Sequence, residues 1–209
     1  MSKDFNEAFE RTILDGSIAS GALDEANKII KPGISTTEID KICYEFINDN
    51  KAYSAPLFYR GFPKSCCTST NHVVCHGIPS DKILKEGDIV NVDVTAIKDS
   101  WHGDTSRTFK VGEVSVKAEK LINVTYESMM KAINIVKDGI HLGDIGSTIQ
   151  THVESNGFSV VQDFCGHGIG QSFHKEPNVL HYGEKGTGKE IKAGMIFTIE
   201  PMINVGNYE

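Results

Sequence analysis

This chain of 209 residues is 39% hydrophobic and 23% charged, and its formal net charge is −7. That composition predicts a globular protein with one sizeable core, and the negative charge argues against a general nucleic-acid binder. No apolar run approaches the length needed to cross a bilayer, and the charged start MSKDFNEAFERT has no apolar signal-peptide core. The five cysteines form no CxxC pair, so we expect reduced thiols in the cytoplasm.

The N-terminal third is predicted to be helical. Apolar residues recur at helical spacing over residues 6–30, and the pattern stops at the turn sequence Lys31-Pro32-Gly33. Ser35 is followed three residues later by Glu38, which is the capping-box pattern of a second helix start. Further along the chain, helices are predicted at about 115–137 and 142–156, and strands at 158–164 and 195–205.

Residues 88–109 predict a β-hairpin that carries two acids on one face. Valine and alanine alternate there with polar residues at the period of a strand. A tight turn centred on Lys98-Asp99 would place Asp93 directly across from Asp104. Like charges opposite one another destabilise a sheet, so either water screens them on a solvated face or a divalent cation lies between them.

An internal repeat divides the chain into two similar halves, at about 1–110 and 111–209. Two pairs of segments align without gaps: 28–39 with 134–145, and 85–93 with 192–200. Each half is therefore predicted to contain two helices followed by strands. The alignment also places Asp93 in register with Glu200, which suggests that acids from both halves converge on a pseudo-twofold axis.

His167 stands out among the histidines because glycines flank it on both sides and let a ligand or a main chain approach closely. Together with Asp93, Asp104 and Glu200 it forms an oxygen-rich set with one imidazole, which suits Mn, Fe, Co or Zn. A single histidine is more commonly an ordinary core or surface residue, and that interpretation is kept for His72, His141, His152 and His181.

Two glycine-rich segments imitate nucleotide-binding loops. The run GHGIGQ at 166–171 has Gln171 where a dinucleotide loop needs its third glycine. The run GEKGTGKE at 183–190 ends in Glu190, so it lacks the hydroxyl that a phosphate loop supplies to Mg²⁺. A glycine- and lysine-rich surface turn is the better interpretation of the second run.

Five sequence runs together resemble type I bacterial methionine aminopeptidases over essentially the whole chain: NHVVCHGIP, NVDVT, HGDTSRTF, CGHGIGQSFHKEP and FTIEPM. The resemblance implies an α+β pita-bread fold, in which two pseudo-twofold-related halves of helices back a curved antiparallel sheet. It also implies a dinuclear hydrolase, with two divalent ions (Co, Mn, Fe or Zn). Its reaction would remove the initiator methionine from nascent proteins whose second residue is small.

The same resemblance implies roles for individual residues. It makes Asp93, Asp104, His167 and Glu200 metal ligands, and it makes His76, His174 and Glu200 catalytic. His76 and His174 also contact the substrate in this comparison. The walls of the methionine pocket correspond to Tyr59, Phe62, Cys67 and Phe173, and an apolar, soft-lined slot suits a thioether side chain.

Family members continue beyond the last residue of this sequence with a tail that carries a fifth ligand. The resemblance therefore predicts a single metallopeptidase domain over 1–209 that is C-terminally incomplete and poorly active. It implies a monomer acting on nascent N-termini at the ribosome, without a membrane or a specific nucleic-acid sequence. The alternatives are an X-Pro-type aminopeptidase of the same fold and a non-catalytic binding protein of that fold.

Overall fold

Helices and antiparallel strands make up the α+β architecture seen in a computed structural model, which describes residues 3–208. Two compact units can be distinguished. The first unit comprises the chain up to residue 115 together with 170–173, and the second comprises 116–169 together with the chain from 174. Over residues 3–208, none of the helices combines the length and the apolar character that crossing a membrane requires.

The first unit begins with two helices, α1 (Lys3–Ile29) and α2 (Thr36–Asp49). The predicted capping box starts α2: the Ser35 hydroxyl accepts from the Glu38 N–H at 3.2 Å, and the Ser35 N–H donates to the Glu38 carboxylate at 2.8 Å. These two bonds satisfy main-chain N–H groups that have no partner inside the helix. The predicted position of the second helix start is therefore confirmed.

An antiparallel sheet follows in the first unit, with strands β1 (Tyr53–Ser54), β2 (Cys67–Thr70), β3 (Ile89–Lys98) and β4 (Trp101–Lys110). β4 pairs with β3 along its whole length, and β3 also pairs with β1 and β2. α1 packs on β3 and β4. The residues of β3 that face the core are fully buried: Val90, Val92, Val94 and Ala96.

The register of the hairpin differs from the prediction by two residues. The turn residues are Asp99 and Ser100, both with positive φ (50° and 68°), which is the two-residue turn that matches the twist of the strands. Asp104 therefore pairs with Thr95, and Asp93 pairs with Ser106. The predicted direct opposition of the two acids is wrong. A shift of two residues preserves the face, so both still lie on the same side of the hairpin.

The second unit contains α3 (Val116–Ile135), α4 (Leu142–Ser155) and four short strands, namely β5 (Ser159–Val160), β6 (Gly166–Gly168), β7 (Lys175–Val179) and β8 (Ile203–Asn204). β5 pairs with β8, and β6 pairs with β7. The strand predicted over 195–205 is thus shorter than expected. Pro201 has no N–H to give to a ladder, and the Glu200 N–H donates to a side chain, His181 Nε2, at 3.1 Å.

Main-chain hydrogen bonds show the internal repeat in both units. The Gly33 N–H donates to the Leu84 carbonyl at 2.8 Å, and the Gly139 N–H donates to the Ile191 carbonyl at 2.9 Å. The two bonds are related by the same sequence offsets as the aligned segments, and so are the strand pairs β1–β3 and β5–β8. Each unit therefore repeats the same helix–helix–strand pattern.

Asp15 is a buried acid where α1 meets β4. The approach is close, because a Cβ added at Gly103 would lie 2.1 Å from the Asp15 carbonyl carbon. The Asp15 side chain is 1% exposed, and within residues 3–208 neither carboxylate oxygen has a hydrogen-bond partner. Burial, and then the negative charge of Asp99, raise the pKa of Asp15 to about 6, although Arg11 and Lys98 oppose the shift.

We expect Asp15→Asn to stabilise the protein at neutral pH. A folded-state pKa above the unfolded value means that wild-type stability is lost as pH rises from about 4 to about 6. Removing this charge should raise the free energy of unfolding by about 2–3 kcal/mol at about pH 7.5 and by almost nothing at about pH 4. Urea unfolding at both pH values measures it, with the exposed Asp81→Asn as control. An equal effect at both pH values would contradict the assignment.

Candidate metal-binding and catalytic site

The hairpin face opposite the core is polar in its middle, from Asn91 to Thr95 on β3. The Thr95 hydroxyl donates to Asp104 Oδ1 at 2.9 Å, and the Asn91 amide donates to the Thr108 hydroxyl at 3.1 Å. Asp93 lies between these two cross-strand pairs. The first unit thus presents two carboxylates on one rigid face, one of them oriented by a threonine.

Cys67 lies on β2 directly across from Asp93, and it is 7% exposed. Burial, and then the negative charge of Asp93, raise the pKa of the Cys67 thiol. The group therefore stays a neutral thiol at physiological pH. Its soft, apolar side chain suits the predicted pocket, which stays a prediction, and a thiolate ligand is not expected here.

His76 has a left-handed backbone, with φ 53°. The loop that holds it is fixed to β2, because the Thr68 N–H donates to the Gly77 carbonyl at 2.8 Å and the Gly77 N–H donates to the Ser69 hydroxyl at 3.1 Å. Such a conformation costs a residue other than glycine about 1–2 kcal/mol. Strain of this kind concentrates at functional sites, which supports a functional role for His76.

Aromatic rings form a wall in the first unit. The rings of Tyr59 and Phe173 have centroids 5.0 Å apart, and Phe173 stacks on His102 with centroids 5.6 Å apart. The main-chain N–H of His102 donates to the Gly170 carbonyl at 2.9 Å, and this bond attaches the segment 170–173 to the hairpin. Tyr59 and Phe173 therefore meet, as pocket walls should. Phe62 lies in the same turn as Tyr59, and its N–H donates to the Tyr59 carbonyl at 2.9 Å.

In the second unit, Thr198 joins the two predicted ligands His167 and Glu200. The Thr198 hydroxyl donates to Glu200 Oε1 at 2.5 Å and accepts the His167 N–H at 2.9 Å. His167 Nε2 lies 3.4 Å from the same carboxylate oxygen. One hydroxyl group therefore sets the position of both residues.

This pair fits a divalent metal ion. His167 Nδ1 lies 3.1 Å from the Gly168 carbonyl, so an Nδ1–H donated there leaves Nε2 as the basic nitrogen. Histidines that bind metals commonly donate their other ring N–H in this way. Two ligand atoms that are each about 2 Å from one ion lie about 3 Å apart, close to the separation of His167 Nε2 and Glu200 Oε1.

Both glycines beside His167 are required by close main-chain contacts. A Cβ added at Gly166 would lie 2.4 Å from the Thr198 carbonyl oxygen, and one at Gly168 would lie 2.3 Å from the Glu176 carbonyl oxygen. Any side chain at either position would push a neighbouring segment away. The predicted reason for the flanking glycines, close approach of the main chain, is confirmed.

His181 supports Glu200 from the interior. Its side chain is fully buried, and burial lowers its pKa to about 4, so the imidazole is neutral at physiological pH. A neutral Nε2 accepts the Glu200 N–H at 3.1 Å. His181 is one of the histidines predicted to be an ordinary core or surface residue, and the sequence predicts no role for Thr198 or for the ring of His102. None of the three lies in a pattern that marks such contacts.

His174 lies beside His167, with ring centroids 4.2 Å apart. Both line a cleft of about 300 Å³, whose other lining residues are Cys165, Lys175, Glu176 and Asn178. A larger groove of about 880 Å³ runs along α3 and α4 and contains none of the predicted site residues. The smaller cleft is therefore the better candidate for a reaction site.

Each unit thus brings together part of the predicted ligand set. Asp93 and Asp104 share one hairpin face in the first unit, while His167 and Glu200 are close in the second. Across the described residues, no group of three or more His, Cys, Asp or Glu side chains forms a metal-binding cluster. The four-residue ligand set stays a prediction that rests on these two pairs.

Comparisons with known proteins agree on one family. The model of metallopeptidase family M24 matches residues 15–208. A methionine aminopeptidase from Rickettsia prowazekii (strain Madrid E) is 55% identical over 194 residues, which are 93% of this chain and 75% of the relative. One from Escherichia coli (strain K12) is 52% identical over 205 residues, 97% of this chain and 78% of the relative.

A solved structure agrees as well. The crystal structure of methionine aminopeptidase from Rickettsia prowazekii superposes with a TM-score of 0.96 at 52% sequence identity. It covers 98% of this chain, which in turn covers 82% of that one. The predicted α+β pita-bread fold is confirmed by this match.

We expect Thr198→Val to weaken metal binding without unfolding the protein. Valine keeps the shape of the side chain but removes both hydrogen bonds that orient His167 and Glu200. Loss of such supporting contacts typically lowers metal affinity by about 10–100-fold. Calorimetric titration with Mn²⁺ measures the affinity. The matched control is Thr148→Val, which removes a hydroxyl that donates to the carbonyl of Asp144 in its own helix. Equal affinities in both variants would refute the role of Thr198.

Proposed function

Because this chain belongs to metallopeptidase family M24, we propose that it removes the N-terminal methionine from polypeptides whose second residue is small. The predicted enzyme class, a metal-dependent methionine aminopeptidase, is confirmed by the family match and by the 55% and 52% identities to relatives of that name. The main prediction therefore stands over its alternatives, an X-Pro-type aminopeptidase and a non-catalytic binding protein.

The observation that carries the proposal is the arrangement of His167, Thr198 and Glu200, which orients an imidazole nitrogen and a carboxylate toward one point. Family membership implies divalent metal ions. We propose that there are two, drawn from Co, Mn, Fe and Zn, and that His167 and Glu200 hold them together with Asp93 and Asp104. The shared hairpin face of the two aspartates supports this ligand set.

When bound, the divalent ions would supply Lewis acidity and activate a water molecule for attack on the first peptide bond. The Glu200 carboxylate would accept a proton from the attacking water and donate it to the amine nitrogen as the C–N bond of the peptide breaks. His174, beside His167, steadies the carbonyl oxygen as negative charge develops on it. His76 contacts the substrate near the bond that is cleaved, and the fixed loop around Gly77 keeps it in place.

The methionine side chain is proposed to lie against the aromatic wall of Tyr59 and Phe173, with Phe62 and the neutral thiol of Cys67 nearby. A flexible thioether makes favourable contacts with ring edges, whereas a branched leucine side chain fills a narrow slot poorly. Specificity for methionine would follow from the shape and softness of this wall.

The substrates proposed here are the N-termini of newly made polypeptides, which the protein meets in the cytoplasm near the ribosome. It is proposed to act as a monomer. The similarity to methionine aminopeptidases supports polypeptide N-termini as the substrates, and the net charge of −7 supports a polypeptide rather than a nucleic acid as the partner.

We expect the metal-loaded protein to cleave Met-Ala-Ser at least about tenfold faster, in kcat/KM, than Leu-Ala-Ser. The physical reason is the poorer fit of a branched side chain against Tyr59 and Phe173. Liquid chromatography of the released amino acid gives both rates, and protein treated with a chelator provides the blank. Equal rates for the two peptides would show that these residues do not form the methionine pocket.

His76→Ala should cut turnover by about 100-fold or more while leaving the metal content unchanged. His76 is proposed to act on the substrate and not on the metal. Elemental analysis and kcat on Met-Ala-Ser separate the two roles. The exposed His72→Ala, four residues earlier, serves as the matched control. Loss of metal from His76→Ala, with His72→Ala intact, would assign His76 to the ligand set instead.

A further inference from the structure

The turn that contains Tyr59 has an unusual backbone conformation. Phe58 has φ 66° and ψ 1°, and Arg60 has φ 48° and ψ 30°, both in the left-handed region that favours glycine. Hydrogen bonds specify this conformation: the Phe58 N–H donates to the Phe62 carbonyl at 2.8 Å, and the Phe62 N–H donates to the Tyr59 carbonyl at 2.9 Å. Two bulky residues are therefore held where L side chains rarely occur.

The Phe58 side chain contributes little to the stability of the folded protein, because it is 79% exposed. Aromatic side chains stabilise a fold by the area they bury, and most of the surface of this one stays in solvent. A ring with only two rotatable bonds, fixed in solvent by a rigid turn, loses little entropy when it contacts a ligand. Left-handed residues that their surroundings hold in place cluster at ligand sites.

Phe58 stands next to the proposed methionine pocket. Its neighbour Tyr59 packs against Phe173, and the guanidinium carbon of Arg60 lies 5.3 Å from the centre of the Tyr59 ring. Adjacent Cα atoms are about 3.8 Å apart, and an extended peptide advances about 3.3–3.6 Å per residue. If the substrate chain runs from Tyr59 over the neighbouring turn, this spacing brings its third or fourth residue within reach of the Phe58 ring.

We propose that Phe58 forms a specificity subsite for an aromatic or large apolar side chain at the third or fourth position of the substrate. This inference rests on the proposed function and extends it from the first residue of the substrate to later ones. The occupant is the extended N-terminal segment of the substrate itself, because Tyr59, which is proposed to contact its first side chain, is the residue next to Phe58 in the turn.

The test compares peptides within one protein. For the wild type, kcat/KM for Met-Ala-Phe-Gly or Met-Ala-Ser-Phe should exceed that for Met-Ala-Ser-Gly by about fivefold, the typical effect of one aromatic contact. The readout is the kcat/KM of each aromatic peptide divided by the kcat/KM of Met-Ala-Ser-Gly. A purely structural role of Phe58 would change both rates together and leave their ratio unchanged.

Phe58→Gly is the informative variant, because glycine adopts φ 66° without steric cost and so keeps the turn. Its ratio should fall to about one, while Phe58→Trp should retain the preference. Tyr126→Ala removes an aromatic residue that is 60% exposed on α3, and it should leave the wild-type ratio unchanged.

Two results overturn the subsite while leaving the proposed function intact. One is a wild-type ratio near one at both positions, and the other is an undiminished ratio in Phe58→Gly. A different result, no cleavage of any methionyl peptide by the metal-loaded wild type, overturns the proposed function and this inference with it.

Discussion

The alternation of side chains along β3 is the constraint from which the rest of the first unit follows. Val90, Val92 and Val94 are fully buried under α1, so the residues between them must face the other way. A slip of one residue would turn these valines to the polar face and direct the Asp93 carboxylate into the core in their place, at a cost of several kcal/mol. Core packing thus directs Asp93 to the opposite face, and the two-residue turn at Asp99-Ser100 then decides where Asp104 lies.

In the second unit, close contacts between main chains have the corresponding role. His167 lies between two glycines, each of which touches the carbonyl of a neighbouring segment. The Thr198 hydroxyl accepts a hydrogen bond from the His167 main chain and donates one to the Glu200 carboxylate. The position of the carboxylate therefore depends on that of the His167 main chain. Neither predicted ligand has to be ordered by a metal alone. Side chains held in this way by packing and supporting bonds keep their geometry far better than side chains on mobile loops.

Local patterns in the sequence predicted much of this architecture, and the failures have a common cause. The capping box at Ser35 and the shared face of Asp93 and Asp104 each depend on a few neighbouring residues. The hairpin register was missed by two residues because Asp99-Ser100 lacks the glycine that usually marks such a turn. The strand over 195–205 was overpredicted because the bond from Glu200 goes to His181, a residue that no local pattern connects to it.

The supporting residues that the sequence did not predict, such as His102 and Thr198, have partners that are remote in sequence. His102 meets Phe173, and Thr198 meets His167, only after the chain has folded. A single sequence identifies the residue type that a metal needs, but it does not show which hydroxyl or ring will support that residue. The resemblance to a known family supplied the roles of His76 and His174, and it did not supply these supporting contacts.

Two buried titratable groups, one in each unit, make contributions to the folding stability that depend on pH in opposite directions. Asp15 in the first unit has a raised pKa of about 6, so its unfavourable ionisation develops as pH rises from about 4 to about 6. His181 in the second unit has a lowered pKa of about 4, so its unfavourable protonation develops as pH falls from about 6.5 to about 4. Over that shared window one contribution increases while the other decreases. A flat stability profile of the wild type between about pH 4 and 6 would therefore be the sum of two steep and opposing terms, and only a variant that removes one of them would make the other visible.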